Sequence, residues 1–171
     1  HGIITESVRY QLKSLALNGK KIIVDSRSRI GLFNHLIICP NEIEAIRAVY
    51  GESPKDTDIK TIKQGAQKLY KNNKAPIIIT MGEEGSIWYD GQYFHKADSV
   101  PVDPPIDIVG AGDAFLAAFT LAYGAGISGP KAITFGNLAS SIIIKKIGMA
   151  GTATPEELIE QLERGDIYEA K

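Results

Sequence analysis

The feature that most constrains the fold is a set of short apolar runs separated by segments of helical periodicity. Residues 21–25, 36–39 and 75–81 are rich in isoleucine and valine and show no alternation of apolar and polar positions. Strands of this kind are usually buried on both faces, which is typical of a parallel sheet covered by helices. The sequence therefore predicts an α/β fold with buried, mostly parallel strands.

The segments between these runs predict helices and one hairpin. Helices are expected over residues 6–17, 41–50, 56–70, 111–123, 129–146 and 155–163. Asp90-Gly91 is a favoured two-residue turn, so residues 87–89 and 93–95 are expected to form a β-hairpin. Because neither a repeat nor a linker interrupts the pattern, we expect residues 1–171 to form a single α/β unit.

Composition and charge exclude several classes of protein. The 171 residues include 19 Lys and Arg and 20 Asp and Glu, a formal net charge of −1, which favours neither nucleic acid nor an anionic membrane as partner. The single cysteine, Cys39, excludes an internal disulfide and a zinc-type cysteine cluster. No apolar run approaches the ~20 residues of a membrane helix, and no signal-peptide pattern is present. We therefore expect a cytoplasmic protein.

The segment richest in chemical information is the glycine-rich turn at residues 107–115, where a loop leads into an apolar helix. Gly110 and Gly112 let the backbone approach a ligand closely, and the first amides of a helix are unpaired donors that favour an anion such as phosphate. Asp113 would repel a phosphate but suits a base that takes a proton from a hydroxyl. From these residues alone, a tight turn with Asp113 as a helix cap is an equally good interpretation.

Two further groups of residues follow predicted strands. Thr80, Gly82 and Gly85 come after the central strand, and Asn41 and Glu44 come after the strand before it. Taken singly, the first group reads as a turn into the hairpin and the second as a favourable helix start. Ligands of open parallel sheets bind at the carboxyl ends of the strands, so all three groups are expected to converge there. Together they predict a nucleotide site, with amides for phosphate, acids for Mg²⁺ and a base for the acceptor.

The combination of these motifs resembles the ribokinase or PfkB family of sugar kinases. The family's D-T-x-G-A-G-D-x-F signature corresponds to residues 107–115, its N-x-x-E motif to Asn41 and Glu44, and its nucleotide-contacting turn to Thr80, Gly82 and Gly85. The resemblance implies a three-layer α/β/α ribokinase-like fold with a mostly parallel central sheet. It covers the C-terminal, nucleotide-binding portion of the family, so the N-terminal part and the β lid are expected to be missing.

The resemblance also implies an activity and roles for individual residues. The activity is ATP-dependent phosphorylation of a hydroxyl on a sugar or sugar phosphate. Asp113 would be the catalytic base, with the amides of Gly110, Ala111, Gly112 and Asp113 as the anion hole. Glu44 would hold Mg²⁺ through water, and Asp107 would hold a monovalent cation, K⁺. The nucleotide would be bound by Asn41, Thr80, Gly82, Gly85 and Asn137.

Some positions depart from the common family pattern. Ile108 stands where most members have Thr, and residues 148–158 look most like the heptose-7-phosphate kinases of ADP-heptose synthesis. Because the match covers only the second half of the family's length, we expect a fragment with little activity alone, which associates with the missing N-terminal half or with a second copy. A nucleoside or vitamin kinase of the same fold and a non-catalytic nucleotide-binding or interaction module remain as alternatives.

Overall fold

A computed structural model of the chain describes residues 3–51, 57–148 and 151–163. The helices are α1 (Glu6–Leu17), α2 (Glu42–Tyr50), α3 (Ile59–Asn73), α4 (Ala111–Gly124), α5 (Gly129–Ile143) and α6 (Pro155–Glu163). The strands are β1 (Ile23–Val24), β2 (Ile37–Ile38), β3 (Ile77–Thr80), β4 (Ser86–Tyr89) and β5 (Phe94–Ala97), in that order in one sheet. β1, β2 and β3 run parallel to one another. The predicted α/β fold is confirmed.

The chain divides into two compact units. The first contains the described residues up to Thr80 together with Trp88–Phe94, and the second contains Met81–Ile87 together with the described residues from His95 onward. A compact unit need not be a domain that folds alone. The assignment of residues 1–171 to a single domain therefore stays a prediction.

The core of the first unit lies around β2 and β3 with α2 and α3. Residues 77–79 of β3 are 0% exposed, which confirms the expectation of a buried central strand. From α3, Ile62, Ala66 and Leu69 are buried at the spacing of one helical face. This helix begins at Ile59, after the N-cap Asp58, and not at residue 56 as predicted; residue 56 itself lies outside the described residues.

The expectation of burial is wrong for the first strand. β1 covers only two residues, both half-buried. It stands at the end of the strand order and pairs with β2 on one side only. Helix α1, which precedes it, matches the predicted range of 6–17 but has no buried residue. An isoleucine-rich run therefore identified a strand here without indicating that it lies at an edge.

The loop of the hairpin is shifted by one residue from the predicted Asp90-Gly91 turn. The Asp90 N–H donates to the Tyr93 carbonyl at 3.4 Å, which leaves Gly91 and Gln92 as the two central residues. The Asp90 carboxylate accepts the N–H groups of Gln92 and Tyr93, each at 2.8 Å, and so closes the turn with its side chain. Gly91 has φ +101°, and a Cβ there would lie 2.2 Å from the Tyr70 ring.

The second unit contains two tightly packed helices, α4 and α5. Phe115 of α4 rests on Gly136 of α5, where an added Cβ would lie 2.7 Å from the Phe115 ring. Phe119 and Ile133 are fully buried in the same core. Helix α5 ends at Ile143 and not at residue 146 as predicted, because the Lys146 N–H bonds to the Ile143 carbonyl in a tighter turn. Among the described residues, none of these helices is long and apolar enough to cross a bilayer.

Candidate functional site

The start of α4 differs from the starts of the first three helices. Thr5, Asn41 and Asp58 each accept a backbone N–H with their side chains and so cap α1, α2 and α3. The N-cap of α4 is Gly110, which has φ +83° and makes no side-chain cap. The first N–H groups of a helix have no carbonyl of the same helix to bond. The Ala111 N–H, predicted as part of the anion hole, instead donates to the Ile108 carbonyl at 3.2 Å. The amides of Gly112 and Asp113 are left without a capping oxygen, as in an anion-binding turn.

Asp113 lies in this uncapped first turn of α4. It is exposed, and none of the ion pairs among the described residues involves it. Because the N-cap position belongs to Gly110, Asp113 is not the capping residue of the helix. Its carboxylate is thus accessible from solvent and unpaired within the described part of the chain, as the predicted role as a base requires.

Asp107 fixes the loop that leads into this turn. Its Oδ1 accepts the Val109 N–H at 3.0 Å and its Oδ2 accepts the Gly148 N–H at 3.1 Å. Its own N–H donates to the Ile144 carbonyl at 2.8 Å. The bond from Val109, followed by that from Gly148, lowers the pKa of the Asp107 carboxyl. A structural role accounts for this side chain, and the K⁺ role stays a prediction.

The depressed pKa gives a test of both roles. We expect the Asp107 carboxyl to titrate below its ordinary pKa, so that its stabilising effect on the loop is present above that value and is lost as the pH falls through the lower, folded-state pKa. Carboxyl-carbon NMR, assigned with Asp107→Asn, measures the titration in NaCl and in KCl at equal ionic strength. A further decrease of the pKa in KCl alone is expected if Asp107 binds K⁺. An ordinary or raised pKa in both salts would contradict the hydrogen-bonding account.

The turn after β3 contains two glycines with different surroundings. Met81 donates its N–H to the Gly85 carbonyl at 2.8 Å and closes the turn. Gly85 is buried, and an added Cβ would lie 2.1 Å from the Ala97 carbonyl oxygen. Gly82 is exposed, and a Cβ there would meet nothing within 4 Å. Glycine is therefore required at position 85 because the backbone of residues 97–99 lies against it, whereas Gly82 is open to a ligand.

Asn137 has both of its amide hydrogens engaged by backbone. It is 7% exposed, and its Nδ2 donates to the carbonyls of Ala97 at 2.9 Å and Asp98 at 3.1 Å. One helical turn later, the Ser140 hydroxyl donates to the Ala111 carbonyl at 2.8 Å. We did not single out Ser140 from the sequence. Its only signal there is a hydroxyl three residues after Asn137, and Thr134 and Ser141 place other hydroxyls in the same helix.

In the first unit, the structure brings Asn41 and Thr80 together. They form a parallel β-bridge, and the Thr80 N–H donates to the Pro40 carbonyl at 3.1 Å. This is the arrangement expected for residues at the carboxyl ends of neighbouring parallel strands. The placement of these two residues relative to Asp113 and the other predicted site residues of the second unit stays a prediction.

Asn41 and Glu44 also form a reciprocal capping box at the start of α2. Asn41 Oδ1 accepts the Glu44 N–H at 2.8 Å, and Glu44 Oε2 accepts the Asn41 N–H at 3.0 Å. The helix-start interpretation of this motif is therefore correct as far as it goes. The second carboxylate oxygen of Glu44 remains for other interactions, and the role of Glu44 at Mg²⁺ stays a prediction.

Cys39 is buried near two carboxylates, those of Asp25 and Glu44. Burial, followed by the negative charges of Asp25 and Glu44, raises the pKa of the Cys39 thiol far above its ordinary value. The thiol therefore stays protonated and is a poor nucleophile. The described residues contain no cluster of three or more His, Cys, Asp or Glu side chains, so direct ligation of a metal by several side chains is not seen there.

Two cavities of the first unit, of about 280 and 530 Å³, contain none of the predicted site residues. Both are lined by α3, including Lys68 and Lys71. Concave shape alone therefore does not identify the site in the described part of the chain.

The fold places the chain in the class of ribokinase-like α/β proteins. Arabidopsis thaliana ribokinase, complexed with ribose and ATP, superposes with a TM-score of 0.76 at 22% identity, covering 91% of this chain and 51% of that one. Escherichia coli phosphofructokinase-2, complexed with substrates and products, gives 0.74 at 21% identity over 93% and 52%. At these identities the likeness establishes the fold, and the predicted ribokinase-like architecture is confirmed.

The sequence comparisons narrow the class to one family. The profile of the pfkB family carbohydrate kinases matches residues 15–157, and the chain belongs to this family. It is 30% identical over 166 residues to the bifunctional protein HldE of Sulfurimonas denitrificans, covering 95% of this chain and 33% of that protein. It is 32% identical over 99 residues to the fructoselysine 6-kinase of Escherichia coli, covering 58% and 37%. The chain thus spans about a third of the length of these curated relatives and about half that of the structures.

Proposed function

We propose that this chain is the nucleotide-binding portion of an ATP-dependent kinase that phosphorylates a hydroxyl of a sugar or sugar phosphate. Membership of the pfkB family supports a carbohydrate kinase. The start of α4 is the observation that assigns the activity to particular residues. The uncapped amides of Gly112 and Asp113 and the unpaired Asp113 carboxylate lie there in one helical turn. The amides suit a phosphoryl group, and the carboxylate suits the hydroxyl that attacks it.

In the proposed reaction, Asp113 accepts the proton of the acceptor hydroxyl. The hydroxyl oxygen forms a bond to the γ-phosphorus of ATP as the bond from that phosphorus to the bridging oxygen of ADP breaks. The amides of Gly110, Gly112 and Asp113 stabilise the charge that develops on the transferred group, whereas the Ala111 N–H is already bonded to the Ile108 carbonyl. The protonated Asp113 returns its proton to solvent after the products leave.

Two cations belong to the proposal. Glu44, whose second carboxylate oxygen is not used by the capping box, would hold Mg²⁺ through water, and the ion would supply charge neutralisation at the phosphates. Asn41 would lie near the phosphates. K⁺ at Asp107 would use only the lone pairs that two N–H groups leave on that carboxylate.

The resemblance to the ribokinase or PfkB family also assigns the remaining nucleotide contacts. Thr80, Gly82 and Gly85 would line the nucleotide, with Gly82 as the open position. Asn137 would act near the adenine through the backbone that its amide holds.

The resemblance of residues 148–158 to the heptose-7-phosphate kinases favours a sugar phosphate as the acceptor. The similarity to HldE extends over 95% of the chain. Fructoselysine 6-kinase acts, by its name, on a different sugar derivative. The relatives therefore do not agree on one sugar, and the acceptor panel below has to identify it. A non-catalytic nucleotide-binding module is the second candidate. The free carboxylate of Asp113 counts against it, because binding alone needs no base.

The length of the relatives supports a further point, that the acceptor is bound mainly by residues outside these 171. The isolated chain would then bind nucleotide but phosphorylate sugars poorly. Its partner would be the N-terminal half of the kinase or a second copy of the chain. ATP and sugar phosphates are cytoplasmic metabolites, and we place the protein in the cytoplasm.

An acceptor panel with coupled detection of ADP tests the proposed function. Sugar phosphates, including a heptose 7-phosphate, are compared with free sugars, nucleosides and pyridoxal, using the chain alone and the longest polypeptide that contains it. We expect ADP release with a sugar or sugar phosphate, and little release by the 171-residue chain alone. Preference for a nucleoside or pyridoxal would show that the acceptor is not a sugar and that the alternative, a nucleoside or vitamin kinase, is correct. Robust turnover by the isolated chain would contradict its description as a portion of the catalyst.

A further inference from the structure

One face of α5 holds the backbone of two separate loops. Asn137 donates to the Ala97 and Asp98 carbonyls, and Ser140 donates to the Ala111 carbonyl. Residues three positions apart lie on the same face of a helix, so the two side chains act side by side. The first holds the chain where β5 ends, and the second holds the first residue of α4.

The same spacing continues beyond the end of α5. The Ile144 carbonyl, four residues after Ser140, accepts the Asp107 N–H at 2.8 Å. The positions 137, 140 and 144 follow helical periodicity, and the last contact fixes the loop that leads into α4. The glycine-rich turn of residues 110–113 is therefore held at Ala111 by α5, and the loop before it is held at Asp107 by the residue that follows α5.

The bond from Ser140 has a specific consequence for the start of α4. The N-cap is a glycine without a side-chain cap, so no local side chain holds the first turn in place. Glycine is also the residue with the greatest backbone freedom. A hydroxyl bond to the Ala111 carbonyl fixes the first turn from outside while leaving the N–H groups of Gly112 and Asp113 free. A conventional side-chain cap would occupy one of those N–H groups.

We infer that Ser140 is a positioning residue for phosphoryl transfer, holding the first turn of α4 so that its amides face the γ-phosphoryl group. This inference rests on the proposed function. Asn137 acts in the same way on residues 97–98, against which Gly85 is pressed. Helix α5 thereby fixes the spacing of two loops of the nucleotide site within the second unit.

The chain offers a matched control in the next residue. The Ser141 hydroxyl is buried and donates to the Leu138 carbonyl of its own helix at 2.7 Å. Ser140→Ala and Ser141→Ala are therefore the same change on the same helix, and only the first releases α4. Ser140→Thr keeps the hydroxyl and serves as the conservative variant.

The first measurement does not require nucleotide. Amide hydrogen exchange is followed at Ala114 and Phe115, the first N–H groups of α4 that bond within that turn. We expect exchange about 3- to 10-fold faster in Ser140→Ala, and unchanged in Ser141→Ala and Ser140→Thr. Equal exchange rates in Ser140→Ala and Ser141→Ala would overturn the inference, whether or not the chain binds ATP.

The second measurement compares Mg·ATP with Mg·ADP by calorimetry. Because the inferred contact concerns the γ-phosphoryl group, Ser140→Ala is expected to weaken Mg·ATP binding about 3- to 10-fold and Mg·ADP binding less than 2-fold. Faster exchange with unchanged nucleotide affinity would overturn the positioning role and leave Ser140 with a structural one. Absence of Mg·ATP binding by the unsubstituted chain would instead contradict the proposed function, while the exchange measurement still decides whether Ser140 holds α4.

Discussion

Replacing Asp113 by Asn is expected to lower the rate of phosphoryl transfer to the acceptor about 100- to 10,000-fold, the contribution of a general base. Asparagine has nearly the same shape as aspartate but cannot accept the proton of the hydroxyl. Mg·ATP binding should stay the same or become tighter, since the exposed carboxylate in the first turn of α4 repels the phosphates. Turnover is measured in the longest polypeptide that contains the chain, and binding is measured in both.

Glu156→Gln is the matched control for this substitution. Glu156 is also an exposed acid in the first turn of a helix, α6, and it has no place in the proposed site. We expect its substitution to change neither turnover nor ATP affinity by more than about 2-fold, since surface changes of this kind have small effects. Full activity of Asp113→Asn would show that another group accepts the proton. Loss of Mg·ATP binding along with activity would show that Asp113 has a structural role.

Gly85→Ala is expected to destabilise the folded chain by about 3–5 kcal/mol. Gly85 has φ +84° and ψ −132°, a conformation that residues with a Cβ rarely adopt. The added Cβ would also lie 2.1 Å from the Ala97 carbonyl oxygen, and backbone on both sides would have to move. Urea denaturation at constant m-value measures the loss as a lower midpoint.

Gly82→Ala in the same turn separates backbone strain from steric overlap. Gly82 has φ +54°, and an added Cβ would meet nothing within 4 Å. The substitution therefore costs only the strain of a left-handed conformation, about 1–2 kcal/mol. We expect the midpoint to fall much less than in Gly85→Ala. We expect the free energy of Mg·ATP binding to fall by more than the free energy of unfolding does, because Gly82 is the residue of the turn that is open to a ligand. Equal loss of stability in the two variants would contradict the close approach at Gly85.

Local patterns predicted the elements of the fold well. The apolar run at residues 75–81 identified β3 as a buried central strand, and the glycine-rich turn identified the start of α4 at Ala111. Both features leave a local sequence pattern, an unbroken apolar run in the first case and a glycine pair before an apolar helix in the second. The same local pattern did not reveal that β1 lies at an edge, because burial there depends on what packs against the strand.

The roles of side chains were harder to predict, because one motif can serve two purposes. Asn41-x-x-Glu44 fits a family motif for phosphate and metal, and it equally fits a capping box, which the structure contains. Asn137 was expected near the nucleotide, yet its amide holds backbone 39 and 40 residues away in sequence. Ser140 has a similar long-range partner. Contacts at such separations follow from tertiary packing and leave no local sequence pattern.

The central claim, that these residues form the nucleotide-binding portion of a kinase, is tested most directly by titrating Mg·ATP into the chain by calorimetry. Intact mass and far-ultraviolet circular dichroism first establish that the chain is whole and folded. The account predicts saturable binding at about one site per chain, dependent on Mg²⁺ and competed by Mg·ADP. Heat no greater than that of dilution, from a folded chain at millimolar Mg·ATP, would contradict it.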